Sequence, residues 1–90
     1  MKTLMVEILT RDERLFMGKA ESVTMRGLDG ELQVLPGHVL YVNVLVPGEV
    51  RLHSEDKTCL HFKHAGGVVS VEKDRTVLLL DKLEAGGAVK

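Results

Sequence analysis

The stretch Gly30–Leu52, GELQVLPGHVLYVNVLVPGEVRL, decides the fold class. Two Pro-Gly pairs, Pro36-Gly37 and Pro47-Gly48, frame a run of apolar and β-branched residues too short for an ordinary helix. Proline fixes φ at a corner and glycine tolerates the positive φ that completes it, so each pair reads as a tight turn. The segment between the corners is therefore a strand, and a strand has two faces. One of its faces must pack in a core, and core filling by Val42, Val44 and Val46 is the alternative to a face that meets a partner. His38 and Tyr41 are then the unexpected members, and they are better explained by something that docks there than by a reaction.

The same punctuation continues outward in both directions. Turn signals fall at Arg11-Asp12-Glu13, Gly18, Gly27 to Gly30, Glu55-Asp56-Lys57, Gly66-Gly67, Lys73-Asp74 and Gly86-Gly87. The pieces between them are mostly strand-sized, and several alternate with period two. Leu4, Val6 and Ile8 share one face, Val23 and Met25 flank Thr24, and Val50 and Leu52 flank Arg51. Thr76 to Leu80, TVLLL, does not alternate and is expected to be covered on both sides. The economical solution is an all-β domain, a flattened antiparallel β-sandwich of about ten short strands, with no helix. It is expected to span residues 1–84, with the small, glycine-rich residues 85–90 as a frayed tail.

Composition narrows the function classes. Ninety residues with 44% apolar and 28% charged side chains make one globular domain, near the lower size limit for folding without disulfides or metals. The formal net charge of −1, without a basic block, disfavours nucleic acid and anionic membrane surfaces as partners. No apolar run is long enough to span a bilayer, and the first residues lack the pattern of a secretory signal. The single cysteine, Cys59, cannot form an internal disulfide, which fits a reducing compartment.

Four histidines raise the question of a metal. His61 and His64 are three apart, so on a strand they point to opposite faces. His53 and His61 can approach across the hairpin at Glu55-Asp56-Lys57, but no carboxylate or second cysteine completes a tetrahedral set. Cys59 and His61 can share one face, an arrangement more often packing than nucleophilic catalysis. Asp29 and Glu31 bracket Gly30 at a turn tip, without the cleft that acid–base chemistry needs. The glycines form no phosphate-binding loop, since neither of the known spacings is present. From the residues alone the chain is an interaction module, with a small metal-binding or enzymatic protein using His53, Cys59 and His61 as the alternative.

The ordered motifs carry a resemblance that goes further. Leu15 to His38, LFMGKAESVTMRGLDGELQVLPGH, resembles the amino-terminal domain of the epsilon subunit of F-type ATP synthases. The matching elements are Phe16 and Gly18, Gly27 to Leu32, the Pro36-Gly37-His38 corner, Val46 to Leu52, and Ala65 to Asp81. The resemblance implies a ten-stranded sandwich that is a non-catalytic part of the rotating central stalk, with no cofactor. Its implied partners are the gamma subunit and the c-ring, on the cytoplasmic face of a bacterial membrane. Asp29, Gly30, Glu31 and His38 match tips that face the c-ring, and Leu40, Tyr41, Val42 and Asn43 match a stretch near gamma. Family members usually continue into two helices that hold a brake and, in some, an ATP-binding motif; EAGGAVK cannot build them, so no ATP site is expected. The chain departs from the family pattern at Lys57, His64 and Ala65, and it lacks the usual Ala-Pro after the histidine.

Overall fold

The computed structural model describes residues 3–37, 40–54, 56, 58–73 and 75–81, and the backbone of 83–89. Nine strands and no helix form among them: β1 (Leu4–Leu9), β2 (Arg14–Gly27), β3 (Gly30–Val34), β4 (Tyr41–Leu45), β5 (Gly48–Ser54), β6 (Cys59–His64), β7 (Gly67–Val71), β8 (Arg75–Leu80) and β9 (Leu83–Val89). The expected all-β sandwich is the observed architecture, and the expected number of about ten falls to nine because two pieces fuse. Gly18 does not break the chain. It lies within the 14 residues of β2, where a Cβ would stand 3.2 Å from the Phe16 ring. The missing methyl leaves room for that ring beside the strand.

The long β2 joins two layers. Its first half pairs with β1, and its second half pairs with β3 on one edge and β5 on the other. One layer runs β2, β1, β8, β7, β4; the other runs β3, β2, β5, β6, β9. A register shift between Ala20 and Ser22 lets β2 pass from one layer to the other, because a bulge bends and twists its strand. All pairings are antiparallel except β1 with β8, which is parallel. An antiparallel sandwich was therefore correct in the main, with one pairing that local turn signals cannot reveal.

The inward residues follow the alternation. Val6, Ile8, Val23, Met25, Val50, Leu52, Phe62, Val69, Leu78 and Leu80 are buried in one core between the layers. One alternative falls and two expectations shift. In β4 the inward apolar residue is Leu45, whereas Val42 and Val44 point out, which sets aside the alternative that Val42 and Val44 fill the core. In β8, Thr76, Leu78 and Leu80 are buried while Leu79 is 48% exposed, so this strand is covered on one side only. Residues 85–89, expected to fray, lie on β9, whose backbone pairs with β6. The pairing is made at Leu83 and again at Ala88 and Val89, with a register irregularity between them.

The turn from β6 to β7 depends on a close approach. A Cβ on Gly67 would meet the Leu79 carbonyl oxygen at 2.3 Å. Only glycine lets β7 begin its ladder this close to the β8 backbone, which explains the glycine at position 67.

Candidate interaction surfaces

The two layers present chemically opposite outer faces. On β3, β2, β5 and β6 the outward positions are Glu31, Arg26, Glu49, Arg51, His53, Cys59, His61 and Lys63. Arg51 bonds Glu31 at 2.9 Å and approaches Glu49 at 3.8 Å, and Glu49 lies 3.3 Å from His61 Nδ1. These pairs are largely solvated and each contributes little stability, so the network orients side chains more than it holds the fold.

On the other layer most outward positions are aliphatic, with Ser70 and Glu7 among the exceptions. Val44 stands opposite Val68, Val68 opposite Leu79, and Leu79 beside Leu9, giving one row across four strands. Val44 is 50% exposed and Val42, in the neighbouring row, 69%. A shallow depression of about 430 Å³ runs along the row between Arg11, Val68, Leu79 and Asp81. At the far side Glu7 closes the face, held by Arg14 at 3.0 Å and Arg75 at 3.6 Å. Scattered exposed aliphatics are normal on a soluble surface, but a contiguous row suits a partner.

The residues singled out in the sequence gather at one corner. Asp29 and Glu31 are exposed at the β2–β3 turn with Gly30 between them. Gly30 pairs with Gly27. Asn43 packs against Gly27 so closely that a Cβ there would sit 3.0 Å from Asn43 Nδ2. Asn43 donates that amide to the Tyr41 hydroxyl oxygen, and its Oδ1 accepts the Val44 N–H at 2.7 Å. The Val44 N–H is thus turned away from β7 and capped by a side chain, which blunts a sheet edge that would otherwise offer a bare donor. Leu40 and Val42 are strongly exposed on either side of Tyr41. His38 lies outside the described residues.

The alternative site does not assemble as a metal centre. His53 faces Cys59 across β5 and β6, and Cys59 Sγ is 3.4 Å from His61 Nε2. Among the described residues no three His, Cys, Asp or Glu side chains are placed to hold a metal. His64 points inward, as its spacing from His61 predicts, and is 1% exposed. The Gly66 N–H donates to its Nδ1 at 3.0 Å, and its Nε2 has no hydrogen-bond partner among the described residues. Desolvation holds its pKa below the usual histidine range, against a smaller opposing effect of the Gly66 backbone.

Sequence reasoning missed the aliphatic row. Its members sit at the parity opposite the core in β4, β7 and β8, and apolar residues at both parities read as a strand buried on both sides.

This is an all-β sandwich, with one charged outer face, one largely aliphatic outer face and a polar corner between them. Residues 3–86 match the family model for the ATP synthase delta/epsilon chain β-sandwich domain. The chain belongs to this family. An ATP synthase epsilon chain of Bordetella petrii is 35% identical over 81 residues, which cover 90% of this chain and 57% of that one. The chain thus spans little more than half the length of that relative. Two solved structures share the fold. One is a Euglena gracilis mitochondrial ATP synthase comprising OSCP, F1 and c-ring, with TM-score 0.85, 21% identity, and coverage of 91% of this chain and 52% of that one. The other is the central stalk and c-ring of Tetrahymena thermophila mitochondrial ATP synthase, with TM-score 0.74, 16% identity, and coverage of 92% and 66%.

Proposed function

We propose that the chain is a non-catalytic central-stalk component of an F-type ATP synthase, which couples ion-driven rotation to ATP synthesis by binding the gamma subunit and the c-ring. The observation that carries this reading is the joining of an exposed aliphatic row to the Tyr41–Asn43 edge and the Asp29–Glu31 tip. Leu40, Tyr41, Val42 and Asn43 form the gamma side: Val42, continued by Val44 and Val68, supplies the apolar outward face, and Tyr41 with Asn43 meets the partner at the strand's edge from the other face of β4. Asp29, Gly30 and Glu31, with His38, form the c-ring side. There the acidic tip sets register against basic loop residues more than it adds affinity. Glu31 is already bonded to Arg51, so the tip offers a held carboxylate rather than a free one. The working location is the cytoplasmic face of a bacterial membrane, reached through these partners.

The test is binding to the cognate gamma subunit by calorimetry, with Val44→Asp and Val68→Asp as variants. Loss of about tenfold or more in affinity for each variant is expected, since a charge buried in an apolar contact is costly. Unchanged affinity, or no association of the native chain with gamma, overturns the reading in favour of an epsilon-like adaptor in another assembly.

A further inference from the structure

The charged outer face contains an ordered relay with no part in the proposed docking. Cys59 and His61 are neighbours on the outward side of β6, and Glu49 stands on the adjacent β5. Cys59 Sγ lies 3.4 Å from His61 Nε2, and His61 Nδ1 lies 3.3 Å from Glu49 Oε1. The carboxylate beside Nδ1 favours the tautomer protonated there, and in that tautomer Nε2 turns its lone pair toward the sulfur. Glu49 is itself held by Arg51, whose other partner is Glu31. The thiol is half-buried, so it remains open to a small reagent. A nucleophile, a base in reach and a third group orienting the base are the parts of an assisted thiol. Metal binding is the rival use of these side chains, and the described residues do not gather for it.

We infer that Cys59 is a site of mixed-disulfide formation with small disulfides of the glutathione type, and that His61 accepts its proton. The sulfur transfers its proton to His61 Nε2 and attacks one sulfur of the disulfide. A new bond forms from Sγ to that sulfur, and the old sulfur–sulfur bond breaks. The departing thiolate takes the proton from His61 and leaves as the free thiol. Cys59 is oxidised and the leaving half is reduced, so no further oxidant is needed. Glu49 is a positioning residue. The inference does not depend on which subunits the sandwich binds.

The probe is glutathione disulfide, with the adduct followed by intact mass at neutral pH on the whole chain, and N-acetylcysteine as the reference thiol. Cys59 is expected to react about tenfold faster than the reference, with His61→Gln returning it to the reference rate. Glu49→Ala, which frees the ring, is expected to slow the reaction severalfold. Glu49→Gln is expected to restore most of the rate, because its amide oxygen can stand beside Nδ1 where the carboxylate stood. His53→Gln, across the strand pair but outside the relay, is expected to leave the rate unchanged. A native rate no faster than N-acetylcysteine overturns the inference. So does a His61→Gln variant that reacts like the native chain.

Discussion

Replacing His64 by asparagine should flatten the acid limb of the domain's stability curve. Asn Oδ1 occupies nearly the position of imidazole Nδ1, so the variant keeps an acceptor for the Gly66 N–H. The amide buries two N–H donors where the neutral ring buries one at Nε2, so the cost at pH 7.5 combines lost packing with one further unmet donor, about 1 to 4 kcal/mol. The pH dependence is another matter. Burial lowers the pKa of His64 in the folded chain, so below its unfolded value near 6.5 the unfolded chain binds the proton more readily. Stability from this group is therefore full above about pH 6.5 and is lost as pH falls toward the folded pKa. One proton sets the ceiling, about 1.4 kcal/mol per pH unit within that window. Charging the ring in place would set an Nδ1 proton against the Gly66 N–H, with only the Gly66 carbonyl, 3.2 Å away, to receive it. That carbonyl already accepts the Asp81 N–H at 2.8 Å. Urea unfolding of both chains at pH 7.5, 6.5 and 5.5 isolates the effect, because the carboxylates are common to both. The native advantage over His64→Asn should shrink steadily below pH 6.5. Parallel curves for the two chains would refute the assignment of this limb to His64.

Three other substitutions test the remaining elements. Gly67→Ala places a Cβ against the Leu79 carbonyl, and thermal unfolding should show a loss of about 2 kcal/mol or more through backbone displacement. Val34→Ala should cost about 1 to 4 kcal/mol by chemical denaturation, because Val34 is buried, with Leu32→Ala lower in that range because Leu32 is half-buried. Glu31→Lys should cost less than about 1 kcal/mol, since the pair with Arg51 is solvated. It should nevertheless weaken coupling between ring and head, measured as ATP-driven ion pumping in membranes carrying the assembled complex.

Much of the sandwich was legible because turn chemistry and period-two alternation agreed. Val6, Ile8, Val23, Met25, Val50 and Leu52 all face the core as their spacing predicts. The reading failed where apolar residues occupy both parities. In β4 and β8, sequence cannot say which set is inward, and Val42, Val44 and Leu79 turned out to face solvent. Gly18 misled because glycine serves two ends: it can permit a turn, or, as here, it can vacate space for a neighbouring ring. Of the candidate site, the shared face of Cys59 and His61 followed from spacing by two. The bond from Glu31 to Arg51 did not, because it joins strands 20 positions apart whose neighbourhood is set by the path of β2.

The parallel pairing of β1 with β8 governs how the chain can be made. Met5 finds its partner in Arg75, seventy positions along the chain. Strands β5 and β6 can zip as a local hairpin, but the aliphatic layer cannot close until β8 has left the ribosome. Contacts this distant in sequence slow folding. Until then β1 offers one unpaired edge to any neighbouring strand, including that of another nascent copy. Synthesis rate and chaperone access should therefore govern yield more strongly than the stability of the finished domain.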